Sequence, residues 1–294
     1  IKIEVEVDAT QGIPRLILIG LPSKAVKESK ERITSALRNC GVRIRSQRTI
    51  VNLAPADLKK SSPTFELAIA VALLKMYGLI SHSTQNTMFF GELSLDGKLK
   101  PIKGALPLVK AARDLGFKEV ILPSANASEV SLLAGIKIHP LTSLHQYLTY
   151  QKEQRTLPLL KTKKSTLINQ SRPNLNLTFN EVRGHAVAKR ALTIAVAGNH
   201  NLLMIGPPGA GKTMLAQATL SILPTLTKQE AIEVTSIHSL YGAQQGLITQ
   251  RPFRSPHHSI SHIGLIGGGQ QLKPGEITFA HHGILFLDEI TEFK

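Results

Sequence analysis

The sequence holds one cysteine, Cys40, and no tryptophan, and aromatic residues make up 4 % of its 294 positions. A single thiol cannot close an internal disulfide, so a disulfide-stapled scaffold is excluded. Long apolar runs are missing. None approaches the roughly 20 residues of a membrane span, and no secretory signal pattern is visible. No internal repeat is evident. The simple reading of these absences is a cytoplasmic protein that makes no use of a membrane.

Acidic residues are also scarce: 20 Asp and Glu stand against 35 Lys and Arg, for a net charge of +15. The excess is uneven. Residues 1–150 carry 20 basic against 12 acidic residues, residues 151–177 carry 6 against 1, and residues 178–294 carry 9 against 7. A basic balance of this kind suits a polyanion such as DNA or RNA. A basic surface that serves only solubility is the competing reading. The length leaves room for two domains. The chain starts at Ile1 and stops six residues after Asp288, which reads as a fragment of a longer protein.

What is present is sharper. Gly206-Pro207-Pro208-Gly209-Ala210-Gly211-Lys212-Thr213 satisfies the phosphate loop G-x-x-x-x-G-K-[ST] at every fixed position. Asn201-Leu202-Leu203-Met204-Ile205 before it reads as a short buried parallel strand, and the residues after Lys212 have the apolar spacing of a helix. In that setting the glycines let backbone N–H groups wrap phosphates, and the helix N-terminus adds partial positive charge. Lys212 would reach the β- and γ-phosphates of ATP, and the Thr213 hydroxyl would ligate Mg²⁺. Further on, Ile284-Leu285-Phe286-Leu287 reads as a strand that ends in Asp288-Glu289. Strand ends are where ligands sit in open α/β sheets. Asp288 is assigned to Mg²⁺, and Glu289 to the attacking water as general base.

Periodicity gives the frame. Residues 1–7 and 14–19 read as strands, and a helix opens at Pro22-Ser23 and runs to about Asn39, with Gly41 as its stop. A strand over 49–53 and a buried helix over 65–77 follow. Residues 88–93 and 98–102 read as one hairpin turning at Asp96-Gly97. Then come a helix over 104–115, a strand over 119–122, a short helix over 128–133, a strand over 136–139, and a helix ending near Tyr150. Residues 151–177, with Lys161, Lys163, Lys164 and Arg172, are polar and aperiodic and read as a linker. A helix over 186–198 leads into the phosphate-loop strand.

Several strings together resemble one family. They are Glu181-Val182-Arg183-Gly184-His185-Ala186, the segment Arg251-Pro252-Phe253-Arg254-Ser255-Pro256-His257-His258-Ser259, Gly267-Gly268-Gly269, and Ala280-His281-His282-Gly283 before the Asp288 strand. Near the N-terminus, Gly20-Leu21-Pro22 and Asn52-Leu53-Ala54-Pro55-Ala56-Asp57-Leu58 join them. The pattern is similar to magnesium-chelatase-like AAA+ proteins of the bacterial ComM (YifB) type, over essentially the whole chain. The resemblance implies an α/β protein. A Lon-protease-like (ribosomal S5 domain 2-like) domain would fill residues 1–150, and the N-terminal part of a P-loop AAA+ domain residues 178–294. It further implies ATP and Mg²⁺ as cofactors, with His185 and Met214 joining the phosphate loop around the nucleotide. It implies a hexameric ring acting on DNA as a branch-migration helicase in natural transformation. The related magnesium-chelatase subunit, which drives metal insertion into a porphyrin, is the alternative.

In Lon-type domains a Ser nucleophile and a Lys form a dyad. The matching positions here are Thr64 and Leu106, so the resemblance implies no peptidase activity, because no amine stands ready to activate the hydroxyl. Thr64 with the displaced Lys103 is the remote alternative. Six histidines lie between 238 and 282, and His258 and His262 have helical spacing; Pro256 and the glycines from 264 onward argue against a long helix there, so structural or intersubunit roles are expected. Residues 221–275 form a long insertion that in related AAA+ modules faces the ring pore, where Arg251, Arg254 and Lys273 would contact DNA phosphates; equally, Arg254 would only brace the loop. Arg38, Arg43, Arg45 and Arg48 read as a basic strand edge, for DNA or against edge pairing.

Overall fold

The computed structural model describes residues 2–43, 47–58, 60, 62–80, 82–161, 177–241, 247–269 and 273–293. The chain divides into two compact units, residues 1–162 and 163–294. Both mix helices and strands.

In the first unit β1 (Glu4–Thr10), β2 (Arg15–Ile19) and β3 (Arg48–Ala54) form a sheet ordered β1-β3-β2. β1 runs antiparallel to β3, from Glu4 opposite Ala54 to Thr10 opposite Arg48, and β2 runs parallel to it. The alternation of β1 sends Val5 and Val7 to the core and Glu4, Glu6 and Asp8 outward. β3 is therefore the central strand. This overturns the basic-edge reading for Arg48, because both sides of that backbone are taken by neighbours. Residues 44–46, Arg45 among them, lie outside the described residues.

The helix α1 (Lys24–Asn39) starts where Ser23 accepts from the Val26 N–H at 3.4 Å and stops at Cys40 and Gly41, the latter with φ +76°. Its Ile33, Ala36 and Leu37 pack on α2 (Glu66–Met76), whose Leu67, Ile69, Leu73 and Leu74 are all but fully buried. Glu66 is buried at the head of α2. Its carboxylate accepts from the Ser29 hydroxyl, from Arg32 Nε at 2.9 Å and from the Leu93 N–H at 2.7 Å, which fastens α1, α2 and the following strand together.

The expected hairpin over 88–102 is two separate pairings. β4 (Thr87–Phe89) joins a parallel sheet ordered β4-β7-β8 with β7 (Glu119–Pro123) and β8 (Lys137–Leu141). β5 (Glu92–Leu93) pairs antiparallel with β6 (Leu99–Lys100). Between them Phe90 donates to Ile121 O at 2.9 Å, whereas Gly91 donates to Thr64 O at 2.9 Å and accepts from the Leu67 N–H at 3.1 Å. The backbone changes partners at Gly91, where a Cβ would stand 2.7 Å from Leu99 Cδ2. α3 (Ala105–Asp114), α4 (Ala127–Val130) and α5 (Leu144–Lys152) complete the unit.

The expected linker begins later than residue 151. Leu160 donates to Ile138 O at 2.8 Å, the carbonyl of Pro158 meets His139 Nδ1 at 3.0 Å, and Leu157 packs on the core. Lys163, Lys164 and Arg172 lie outside the described residues.

The second unit contains α6 (Ala186–Gly198), α7 (Lys212–Ala218), α8 (Lys228–Leu240), α9 (His262–Ile266) and α10 (Glu276–Phe279). Its strands are two residues each: β9 (Phe253–Arg254) parallel to β12 (Ile284–Leu285), and β10 (Gly267–Gly268) antiparallel to β11 (Lys273–Pro274). α6 ends where Asn199 takes φ +53°. α8 opens with a capping box in which Thr227 and Glu230 each accept from the other's backbone N–H. A small cluster of Val182, Leu192, Leu215 and Ala218, with Phe179 and Met204 against it, is the core behind the phosphate loop. Among the described residues, no helix of either unit is long and apolar enough to cross a membrane.

Candidate nucleotide site

The phosphate loop joins an extended run to α7. That run, residues 201–205, was expected as a buried parallel strand, but it carries no ladder pairing among the described residues. Only Met204 turns to the small core; Leu203 is 70 % and Ile205 90 % exposed. Among the described residues, parallel pairing in this unit is made by β9 and β12. The Asp288 strand is shorter than expected as well. β12 is continued by one further bond, Phe286 N–H to Arg254 O at 2.8 Å, and Asp288 and Glu289 sit in the turn beyond.

Gly209 and Gly211 take φ +75° and +77°, a region in which a Cβ would be strained, so the motif's glycines are required by the backbone path. Gly211 also caps α7, which starts at Lys212. The Lys212 ammonium lies across the loop and donates to Gly206 O at 2.9 Å and Pro207 O at 3.1 Å. The Thr213 hydroxyl donates to Asp288 Oδ2 at 3.0 Å, and the second Asp288 oxygen accepts from the Glu289 N–H at 3.1 Å. Residues 75 positions apart are thus brought into contact. Hydroxyl and carboxylate oxygens are the donor set that hard Mg²⁺ prefers. Glu289 stands at φ +53° with Oε2 3.4 Å from His258 Nδ1.

These residues line one cleft of about 1380 Å³, walled by residues 201–206, 208–214 and 283–291. Pro207 takes part through its carbonyl, and Met214 lies on the wall with its Cε 3.2 Å from where a Cβ on Gly211 would be. His185 is not on the wall. Its Nε2 stands 3.9 Å from that same point, beside the loop.

The arginines act as braces. Arg251 donates to Pro224 O at 2.6 Å and His282 O at 2.7 Å, and pairs with Glu230 at 3.2 Å. Arg254 grips Glu276 with both Nε and Nη2, and that carboxylate pushes its pKa up further. For Arg254 the observed partner fits the bracing reading; Lys273 is exposed on β11. His262 opens α9 while His258 lies outside any helix, so the helical pair of imidazoles does not form.

Sequence reasoning missed the contact between His258 and Glu289, and a cluster in which His281 and His282 meet Glu233 on α8. The adjacent-histidine strings were the available signal, but nothing local says which carboxylate they face.

At the Lon-type positions, Thr64 is buried and its hydroxyl meets that of Ser62. Leu106 is fully buried and its N–H donates to Glu129 Oε1 at 3.0 Å. Lys103 is exposed.

The family model described as magnesium chelatase, subunit ChlI, matches residues 178–294, and that described as subunit ChlI of Mg-chelatase matches residues 5–126. Competence protein ComM of Haemophilus influenzae is 42 % identical over 99 % of this chain and 58 % of its own length. The protein YifB of Escherichia coli is 39 % identical over 99 % of the chain and 57 % of its length. Lon protease 2 of Bacillus subtilis is 29 % identical over 50 % of the chain and 29 % of its length. The chain thus spans somewhat more than half the length of the curated relatives that it matches throughout.

Proposed function

Since the chain belongs to the ComM/YifB type of magnesium-chelatase-like proteins, we propose that it is the N-terminal portion of an ATP-hydrolysing, DNA-remodelling AAA+ motor. Residues 1–150 would form a Lon-protease-like domain without a working dyad, and residues 178–294 the first part of the AAA+ domain. The observation that carries this reading is the 3.0 Å contact between Thr213 and Asp288, which sets a Walker-type hydroxyl and carboxylate beside Lys212 and Glu289 in one cleft.

Each residue then has a task. The backbone N–H groups of Gly209 to Thr213 hold the phosphates, and Lys212 exchanges its two loop carbonyls for β- and γ-phosphate oxygens. Thr213 and Asp288 would hold Mg²⁺, which neutralises charge that builds up on the phosphates. Glu289 takes a proton from the water whose oxygen attacks the γ-phosphorus. The bond from that phosphorus to the bridging oxygen breaks, leaving ADP and inorganic phosphate. Hydrolysis cycles of this kind drive movement of DNA through a homo-hexameric ring in the cytoplasm. The basic excess of the first unit and of residues 151–177 supports a polyanionic partner.

The test is ATP turnover by the full-length protein with and without DNA. Stimulation by DNA is expected. Glu289→Gln should keep ATP binding and lower turnover by at least about 10²-fold, as for loss of a catalytic base. No response to DNA, with turnover instead coupled to the other chelatase subunits and a porphyrin, would favour the metal-insertion ATPase that the family model is named for.

A further inference from the structure

Outside the nucleotide cleft, α8 and the turn between α10 and β12 bring together three side chains that share no role in phosphate chemistry. Glu233 faces His281 and His282, and one ligand atom from each lies within 4.8 Å of the others. His282 Nε2 is 2.8 Å and His281 Nε2 3.5 Å from Glu233 Oε2. We infer that Glu233, His281 and His282 form a binding site for a zinc-like divalent cation, distinct from the Mg²⁺ position at Thr213 and Asp288.

The spacing fits. Metal–ligand bonds of about 2.0–2.1 Å in a tetrahedron put ligand atoms roughly 3.3 Å apart, and the cluster brackets that figure. The two imidazole rings lie 4.0 Å apart between centroids and are tilted by 49°, so they do not stack flat. Two imidazoles and one carboxylate select zinc, cobalt or nickel over magnesium and calcium, which prefer oxygen. Three protein ligands leave one position for water, and the half-exposed side chains allow it.

The surroundings hold the ligands in place. His282 sits at φ +57°, uncommon for a side chain other than glycine or asparagine, and Arg251 Nη1 fixes its carbonyl at 2.7 Å. Gln229 donates to Glu233 Oε1 at 3.2 Å and leaves Oε2 toward the histidines. Glu230 Oε1 stands 3.6 Å from His282 Nδ1, so a second carboxylate lies behind the ring on the side away from Glu233. A bound cation would tie α8 to the turn that leads into β12 and so to the loop bearing Asp288.

The site can be tested without ATP. The 294-residue chain, stripped of metal with a chelator, is titrated with Co²⁺ and followed by its visible absorption. A saturable band of tetrahedral intensity is expected, displaced by Zn²⁺ and unaffected by millimolar Mg²⁺. His281→Ala, at an exposed ring, should weaken Co²⁺ binding at least tenfold; Glu233→Gln should do the same, and His282→Asn keeps the left-handed backbone while removing one ligand. Circular dichroism checks that each variant is folded. A chain that gives no saturable band, or whose band is equally strong in folded His281→Ala and Glu233→Gln, would overturn the site and leave the cluster as a histidine–carboxylate ion pair.

Discussion

The two units bury their apolar residues very differently. In the first, α2 hides Leu67, Ile69, Leu73 and Leu74 behind α1 and the β1-β3-β2 sheet. In the second, the 13-residue α6 buries only Leu192, and Val187, Leu203 and Ile205 are 85 %, 70 % and 90 % exposed. The second unit is instead knit by polar pairs: Arg251 with Glu230, Arg254 with Glu276, and the His282 ring with the Glu233 carboxylate. The first unit therefore draws its stability from area removed from water. The second leans more on paired side chains, which stand outside the lining of its nucleotide cleft.

That contrast can be broken most directly by matched truncations. Leu74→Ala should cost the first unit about 2–5 kcal/mol, the range for large-to-small changes in a packed core. Ile205→Ala should change the second unit by no more than about 0.5 kcal/mol, as for exposed positions. Urea unfolding read separately for each unit checks both; comparable losses would show that residue 205 is covered in solution. Arg254→Ala should cost the second unit about 1 kcal/mol, since the two-pronged contact with Glu276 is partly screened by solvent. The same measurement decides it, with Lys30→Ala, a partly exposed neighbour of Glu31, as the first-unit control that should change little.

The smallest effect is on pH. Burial, acting more strongly than the hydrogen bond to Phe279 O, lowers the His238 pKa. The folded state then favours the neutral ring, and the unfolded chain takes up the proton more readily. Its contribution is complete above the ordinary imidazole value of about 6.5 and is lost as pH falls through the lower folded value. Thermal unfolding at pH 7.5 and 5.5 should show a larger acid loss for the parent than for His238→Gln.

Legibility followed the same division. Where local chemistry decides, the sequence could be read. Ser23 and Gly41 bracket α1, Asn199 closes α6 at the expected residue, and the Gly209 and Gly211 conformations follow from the phosphate-loop string. Where a distant partner decides, it could not. Nothing near Gly91 reveals that its N–H belongs to Thr64, nothing near Arg48 that its strand is central, and nothing near Glu289 that His258 is its neighbour. The run before the phosphate loop has the continuous apolar character of a buried strand, but that character says nothing about which strands will pair with it.

The central claim is that the second unit holds a nucleotide through Lys212. The direct test is a titration of a fluorescent ATP analogue against this chain and its Lys212→Ala variant in Mg²⁺. Loss of most of the affinity in the variant is predicted, because the β- and γ-phosphates lose their main cationic partner. Equal affinities would contradict the account.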